Sequence, residues 1–325
     1  MFKAIDSYFS TRFKALKMLL AEYRLLVRHL GSSNCYKSQE KLRALIIMQA
    51  HIMEKGLALR EVRPGFGVPK VLKLLSNLDL YYTRYKDGEL LFFVLSMIEE
   101  YIRFNREKGI ENSEIISKYK HLNSIPLSKE YEYLRGGTTT VTNKDIQDKC
   151  AVNYLDFVKS RYSIRNFTGE QVDRQLVYKA LEIARYTPSA CNRQPWGNHV
   201  FFNKEKIQEI LDYQTGAKQF GDDLTCLILI TSRYGSFFNG EYHQPYVNGG
   251  MYAMNLLFAL HSTGLGTVSL NLGFKQKKLN QLTRLCAMQE SEVPIMLIGV
   301  GVIPEELKVA SSKRFKYEEY TTFYN

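Results

Sequence analysis

Two short segments combine residue types that could bind a phosphorylated ligand. Arg161, Ser163 and Arg165 alternate along the chain, and in an extended segment alternate side chains project to the same side. Two guanidinium groups and a hydroxyl suit a phosphate monoester and adjacent sugar hydroxyls. In the second segment, residues 188–196, a Gln-Pro-Trp ending holds the chain extended beside a flat aromatic ring. A phosphate clamp beside such a turn is what a flavin mononucleotide (FMN) site needs.

A structural interpretation of the two arginines competes with this one. Arg161 and Arg165 are four residues apart, so on a helix they would be neighbouring surface charges. The asparagine at position 192 has both an amide donor and a carbonyl acceptor for a ligand, yet asparagine is also common in turns. Trp196, the only tryptophan, is interpreted as a buried anchor rather than a substrate contact.

Length and composition indicate a globular chain. The 325 residues are 45% hydrophobic and 24% charged, enough to bury one large core or two ordinary ones. There is no run of eighteen apolar residues, so we expect no membrane span. Charges interrupt the N-terminal apolar stretches, which is unlike a signal peptide. A cytoplasmic location is therefore expected.

The cysteines do not predict a metal site or a disulfide framework. Their number, five, is odd, and no CxxC pair occurs. We interpret them as structural thiols, with Cys191 as the exception because it lies inside the second ligand-binding segment.

The positive charge is concentrated in the first part of the chain. Of the net charge of +11, residues 1–150 contribute +8 and residues 151–325 contribute +3. Such an excess could favour nucleic acid, anionic lipid or an acidic partner, but solvated helix faces are the preferred interpretation. No zinc finger, RNP-type aromatic motif or dense basic block is present, so no nucleic-acid partner is expected.

Residues 1–135 predict an all-α domain. Apolar residues at three- and four-residue steps predict helices over residues 5–30, 38–55, 69–85 and 88–108, most simply arranged as a bundle. Residues 136–150 are polar and rich in glycine and threonine, which predicts a linker.

Residues 151–325 predict an α+β domain, with a mixed central sheet flanked by helices. We expect helices near residues 153–160, 174–186, 204–213 and 246–263, and strands near residues 197–203, 224–231, 267–272 and 295–302.

The order of motifs in residues 151–325 resembles the FMN-dependent nitroreductase family. The shared blocks are Arg-x-Ser-x-Arg at 161–165, Pro-Ser-x-x-Asn-x-Gln-Pro-Trp at 188–196, Gly-Leu-Gly-Thr at 264–267, Asn-Leu-Gly-Phe at 271–274 and Lys-Arg at 313–314. The resemblance does not extend to the first 150 residues. It implies an enzyme that binds FMN and uses NAD(P)H as co-substrate.

The resemblance also implies a role for each site residue. Arg161, Ser163 and Arg165 would bind the FMN phosphate and ribityl chain, and the late basic pair would complete the phosphate site. The backbone of Leu272 and Gly273 would face flavin N5, with no side chain acting as a catalytic group. The family builds its site across a homodimer, so four further residues would contact the flavin from the partner subunit. The implied cofactor-binding residues are Arg161, Ser163, Arg165, Pro188, Ser189, Ala190, Asn192, Leu272, Gly273, Lys313 and Arg314.

Three functions follow from these patterns. The first is ping-pong hydride transfer from NAD(P)H, through FMN, to nitroaromatic, quinone or flavin acceptors. The second is a dedicated biosynthetic oxidase or dehydrogenase, with polysaccharide metabolism as one setting, because a general reductase has no need of a 150-residue helical extension. The third is a scaffold in which the flavin fold does no chemistry.

Overall fold

The computed structural model describes residues 2–31, 35–59, 61–140, 152–273, 276–310, 314 and 316–324, without the side chains of residues 2–12, 14, 15, 18, 215, 276 and 277. We call residues 2–140 the helical region and residues 152–324 the α+β region.

The helical region contains α1 (Phe2–His29), α2 (Gln39–Leu57), α3 (Val68–Tyr85), α4 (Gly88–Glu107) and α5 (Ser113–Asn123). The sequence predicts the first four of these to within three residues at each end and misses α5. Capping fixes two of the starts: Ser38 accepts a hydrogen bond from the backbone of Lys41, and Asp87 accepts one from Leu90. Helices α2 to α5 enclose one apolar core, whose largest fully buried side chains include Tyr81, Leu42 and Met97.

The predicted linker starts against this helical core. Backbone N–H groups of Gly136 and Gly137 donate to Ser96 Oγ at 2.8 Å and to Glu54 Oε1 at 3.1 Å. Residues 141–150, the rest of the predicted linker, lie outside the described residues. The domain boundaries at 135 and 150 stay a prediction.

The α+β region confirms the predicted fold class. Its helices are α6 (Tyr154–Ser160), α7 (Arg174–Ala184), α8 (Lys204–Leu211), α9 (Gln244–Ser262) and α10 (Gln276–Leu285), and the sequence misses α10. Its strands are β1 (Trp196–Phe201), β2 (Cys226–Arg233), β3 (Gly266–Leu270) and β4 (Glu292–Gly301). The sheet order is β1-β2-β4-β3, and each adjacent pair is antiparallel. Strand β2 is apolar and almost wholly buried because cores cover both faces of the sheet.

The C-terminal tail does not add a strand to its own sheet. Residues 317–324 are rich in aromatic side chains and include two glutamates, a pattern that fits an edge strand weakly. The structure instead gives a short 3-10 helix, Tyr317–Tyr320, and leaves the tail exposed.

The two regions are in direct contact. The backbone N–H of Gly31, just after α1, donates to the carbonyl of Phe237 at 2.6 Å. Glu40, in the first turn of α2, accepts a hydrogen bond from Ser291 Oγ at 2.9 Å. Helix α2 also contacts the short 3-10 helix Ala190–Asn192. The helical region therefore touches the segment in which the sequence predicts ligand contacts.

Candidate functional site

Residues 161–165, which we call the clamp segment, are extended, as the interpretation of Arg161 and Arg165 as phosphate ligands requires. Helix α6 ends at Ser160, and Arg161 already has extended backbone angles (φ −80°, ψ 113°). Ser163 forms a parallel bridge with Thr267 in β3, and the N–H of Ile164 donates to the carbonyl of Thr267 at 2.8 Å. The competing interpretation of Arg161 and Arg165 as helical surface charges is therefore wrong, because the clamp segment lies alongside the sheet.

Phe167 anchors this segment through close packing on two glycines. A Cβ atom on Gly301 would lie 2.6 Å from Cδ1 of Phe167, and one on Gly266 would lie 3.1 Å from Cε1. The first distance is too short for a side chain, so glycine is needed at Gly301, and the second is a tight fit. Phe167 is itself buried in the core. Its packing fixes the clamp segment at the end of the sheet that β3 and β4 form.

Four predicted site residues line one cavity of about 560 Å³. Arg161, Ser163 and Arg165 come from the clamp segment, while Arg314 comes from the tail, about 150 residues later. The remaining lining residues are Val158, Lys159, Tyr162, Met254, Phe258 and Ala310. Lys313, the other member of the late basic pair, lies outside the described residues. The result is a strongly cationic cavity with an apolar wall from α9.

The clamp arginines have few partners within the chain. Among the described residues, none gives Arg161 a hydrogen bond or an ion pair, and Arg165 has one long contact, 3.4 Å from Nη1 to the carbonyl of Ser163. Burial, together with the positive charge of Arg161, lowers the pKa of His261 below its usual value. The guanidinium charges of Arg161 and Arg165 thus remain available to an anion.

The loop 188–194 has a different environment, outside the cavity. The residues lining the cavity in a single chain do not include Pro188, Ser189, Ala190 or Asn192. Ala190 donates its N–H to Asn248 Oδ1 of α9 at 2.8 Å, and Ser189 Oγ accepts from the N–H of Gln194 at 3.0 Å. Trp196 is half-buried and stacks on Tyr252, with ring centroids 4.7 Å apart, which confirms its role as an anchor.

Three residues of this loop have left-handed backbone angles. Cys191, Asn192 and Gln194 have φ values of 50°, 51° and 47°, although none is glycine. Such conformations are uncommon for residues with a side chain and persist only where the surroundings impose them. Strain of this kind is concentrated at functional sites, so the backbone angles of this loop are consistent with a role in ligand binding.

Arg193 braces this loop through its side chain, and no sequence pattern predicts that role. Its side chain is fully buried (0% exposed) and donates to both carboxylate oxygens of Glu241, at 2.8 and 2.6 Å. It also donates to the carbonyls of Ala190 and Ser236, both at 2.8 Å. Burial opposes ionisation of Glu241, but the hydrogen bonds from Arg193 and the N–H of Phe238 lower its pKa overall.

Leu272 and Gly273 follow directly after β3. Leu272 is half-buried against the core, and Gly273 is exposed. The N–H of Gly273 donates to Asn271 Oδ1 at 3.3 Å, and the carbonyl of Asn271 accepts from Gln214 Nε2 at 2.6 Å. Neither residue lines the cationic cavity. Because the clamp segment pairs with β3, however, the clamp segment and residues 272–273 both lie at the β3 edge of the sheet.

Comparison with known proteins bears on this region. Residues 158–222 match the model of the Nitroreductase family. An inferred NADH dehydrogenase/NAD(P)H nitroreductase of Methanothermobacter thermautotrophicus is 26% identical over 150 residues, which are 46% of this chain and 77% of that protein. An inferred NAD(P)H nitroreductase of Bacillus subtilis, YodC, is 25% identical over 183 residues, 46% of this chain and 89% of the relative.

Two solved structures also align with about half of this chain. A nitroreductase family protein of Streptococcus pneumoniae aligns with 53% of this chain and all of its own (100%), at 24% identity and a TM-score of 0.44. An FMN-dependent nitroreductase of Clostridium difficile aligns with 53% of this chain and 99% of its own, at 20% identity and a TM-score of 0.44. The family match over residues 158–222 confirms the sequence resemblance to nitroreductases.

Two further findings concern the described part of the chain. Every helix there is too short or too polar to span a bilayer. No group of three or more histidine, cysteine, aspartate or glutamate side chains is arranged to hold a metal ion among those residues.

Proposed function

We propose that the chain is an FMN-dependent oxidoreductase that takes electrons from NAD(P)H and reduces a nitroaromatic, quinone or flavin-type acceptor. The observation that carries the proposal is the cationic cavity, in which Arg161, Ser163, Arg165 and Arg314 converge. Six of its ten lining residues, including Arg161, Ser163 and Arg165, lie within residues 158–222, which match the Nitroreductase family.

The donor set fits a flavin mononucleotide. A phosphate dianion needs several charge-assisted donors, and Arg161 and Arg165 have guanidinium groups that the described residues leave largely unused. Ser163 can donate to a phosphate or ribityl oxygen. The half-buried apolar wall, including Phe258, suits the flatter end of such a ligand. When bound, FMN supplies two-electron transfer between NAD(P)H and the acceptor.

In this scheme the protein's own residues would bind and orient the flavin. Leu272 and Gly273 would present backbone groups near flavin N5, where an N–H stabilises developing negative charge. That requires the Gly273 N–H to exchange its 3.3 Å contact with Asn271 for the cofactor. Lys313 would complete the phosphate site beside Arg314.

The proposed assembly is a homodimer. Helix α9 has exposed apolar side chains, among them Val247, Met251 and Met254, on its outer face. A second copy packed on that face would bring its loop, with Pro188, Ser189, Ala190 and Asn192, to the flavin. The strained backbone of this loop supports the assignment. The cytoplasmic location stays a prediction.

The activity test is a pair of half-reactions on FMN-loaded protein without oxygen. We expect NADH or NADPH to bleach the flavin absorbance near 450 nm, a typical wavelength for oxidised flavin. A quinone or nitroaromatic acceptor should then restore it. FMN-loaded protein that neither nucleotide bleaches would contradict the proposal.

A dedicated acceptor is the second candidate, and one observation favours it. Helix α2 packs against residues 190–192, so the helical region adds structure beside the loop proposed to contact flavin. A panel of quinones, nitroaromatics and free flavin separates the two functions. Similar kcat/KM values across the panel favour the general reductase, whereas uniformly poor turnover of a reducible flavin favours the dedicated enzyme.

A further inference from the structure

Helix α1 exposes a stripe of apolar side chains. Five of them recur at alternating steps of three and four residues, so they share one face of the helix. Each is between 44 and 63% exposed, and together they form what we call the α1 stripe: Phe13, Leu16, Leu20, Tyr23 and Val27. A contiguous apolar surface of this kind is typical of an interaction site.

The exposed charges beside the α1 stripe are positive. Lys17 and Arg24 are exposed and have no ion pair among the described side chains. Arg28 is 4.0 Å from the carboxylate of Glu290, in a pair whose two side chains are largely in solvent. Such a pair contributes little. The α1 stripe therefore favours a partner that has both apolar groups and carboxylates.

A second α1 helix does not meet this requirement. When the stripe occupies the contact positions of a helix pair, Lys17 and Arg24 flank it on one side, and Leu19 and Leu26 flank it on the other. A parallel pair sets these cations against leucines, and an antiparallel pair sets them against each other. Neither arrangement joins opposite charges.

The C-terminal tail has the complementary composition. Residues 317–324, which we call the tail segment, contain two glutamates and no basic residue, and the basic residues at 313, 314 and 316 precede it. The ring of Tyr317 packs edge-on against that of Phe323, with centroids 6.5 Å apart. Four aromatic side chains of the segment are between 57 and 93% exposed: Tyr317, Tyr320, Phe323 and Tyr324.

Helix α1 and the loop 188–194 lie at the same end of α9. Glu22 of α1 accepts a hydrogen bond from the hydroxyl of Tyr234 at 3.5 Å, and that hydroxyl is 3.4 Å from the hydroxyl of Tyr246, in the first turn of α9. The loop is hydrogen-bonded to Asn248, two residues further along α9. Helix α1 therefore lies near the loop that is proposed to contact the flavin of a second copy.

The tail segment begins close to the flavin site. Arg314, three residues before Tyr317, lines the cationic cavity. In the proposed homodimer the loop of one copy reaches this cavity in the other copy, so the tail of the second copy starts near α1 of the first. The ten residues from Arg314 to Tyr324 span up to about 33 Å when extended. Within one chain the tail would have to cross the outer face of α9, which the second copy covers.

We propose that the tail segment of one copy docks on the α1 stripe of a second copy, an inference that rests on the proposed homodimer. The aromatic rings of the tail segment cover the stripe, and Glu318 and Glu319 face Lys17 and Arg24. Because Arg314 lies in the same tail, docking tethers one side of the phosphate site to the helical region of the partner. The helical region thereby acquires a role at the cofactor site.

Photo-crosslinking of the full-length protein tests the contact. A benzoylphenylalanine in place of Phe323 should give a covalent dimer on irradiation, and mass spectrometry should map the link to residues 13–28. The same probe at Tyr186, an exposed aromatic position outside the tail, should not link to α1. A link within one chain, a link to another part of the second copy, or no link overturns the proposal.

Charge-reversal variants test the pairing of the two surfaces. Arg24→Glu should lower the yield of the link to α1 at least about threefold, because it sets like charges against each other. Adding Glu318→Lys and Glu319→Lys should restore the yield. Arg103→Glu, at an exposed position of α4, is the matched control and should leave it unchanged. Equal yields in Arg24→Glu and Arg103→Glu overturn the proposal.

Light scattering on the same samples separates this proposal from the homodimer itself. A monomeric protein overturns both, whereas a dimer whose link maps away from α1 overturns the docking alone. Loss of FMN binding contradicts the proposed function and leaves the crosslink readout intact. Sedimentation with vesicles of phosphatidylcholine and phosphatidylglycerol that Leu20→Glu abolishes would assign the α1 stripe to a membrane surface and overturn the proposal.

Discussion

Two cavities of similar volume each have three lining arginines: the cationic cavity, and an inter-region cavity that lies between the helical region and the α+β region and is lined by Arg43, Arg193 and Arg233. Their arginines differ in what they bind. In the cationic cavity, Arg161 has no hydrogen bond or ion pair with any described residue. In the inter-region cavity, Arg193 donates four hydrogen bonds, two of them to Glu241. A guanidinium group that makes no hydrogen bonds within the protein can bind a ligand, whereas one that is already hydrogen-bonded to the protein supports the fold.

The difference has an energetic consequence. A buried ion pair stabilises the fold only while both partners are present, because losing one leaves a buried charge. An arginine without protein partners contributes to ligand binding and little to stability. Loss of Arg193 should therefore lower stability, whereas loss of Arg161 should lower ligand affinity. Four variants test this contrast, beginning with the largest expected effect.

Arg193→Ala should lower the free energy of unfolding by about 3–5 kcal/mol, because Glu241 keeps a partly buried charge without its guanidinium counter-ion. Urea denaturation measures this. Arg185→Ala is the control, since the ion pair of Arg185 with Glu182 is half-exposed or more on both sides and should be worth at most about 1 kcal/mol. Equal losses in the two variants would contradict the structural role of Arg193.

Arg161→Ala should weaken FMN binding about 10- to 100-fold, since a hydrogen bond to a charged group is worth about 1.5–3 kcal/mol. The unfolding free energy of the cofactor-free protein should change by less than about 0.5 kcal/mol. Flavin fluorescence titration gives the affinity. Arg174→Ala removes a guanidinium that lies over the ring of Phe202, outside the cavity, and should leave the affinity unchanged.

Gly235→Ala should destabilise the contact between the two regions by about 1–3 kcal/mol, because the new methyl group overlaps the carboxylate of Glu40. Glu40→Ala in the same chain removes the group that clashes. The double variant should therefore lose less stability than the sum of the single variants, a coupling that a double-mutant cycle measures. Additive losses would place the Gly235 effect elsewhere.

Glu292→Gln should reduce the loss of stability at acid pH and lower stability near neutrality by about 1 kcal/mol. Burial raises the pKa of Glu292, but hydrogen bonds from His199, the N–H of Gln289 and Thr231 outweigh it and lower the pKa. A carboxyl with a lowered folded pKa stabilises the protein above its unfolded pKa, and that stability is lost as pH falls through the folded pKa. Melting temperatures between pH 7 and pH 3 measure this. If the melting temperature of Glu292→Gln fell with pH as steeply as that of the unsubstituted protein, the stabilising role of the Glu292 carboxylate would be contradicted.

Much of the fold could be predicted from residue pattern alone. The apolar periodicity of α1 to α4 and the continuous apolar run of β2 are local signals that the structure follows closely. The two missed helices also carried a signal. In α5, Ile115, Tyr119 and Leu122 recur at four- and three-residue steps, and in the short, polar α10, Leu279, Leu282 and Leu285 recur at three-residue steps.

The candidate site was predictable only in part. Arg161, Ser163 and Arg165 lie within five residues, so their convergence follows from one extended backbone. The partner of Arg193 is 48 residues away, and the close approach of Gly235 to Glu40 spans almost 200 residues. Such contacts depend on how the two regions pack, and no local pattern encodes them.

Titration of the purified full-length protein with FMN, followed by quenching of flavin fluorescence, tests the central claim most directly. The account predicts saturation at one FMN per chain, with an affinity that Arg161→Ala weakens and Arg174→Ala does not. A protein that leaves FMN unbound at tens of micromolar, or that binds it equally well in both variants, would contradict the claim that Arg161 in the cationic cavity holds the cofactor phosphate.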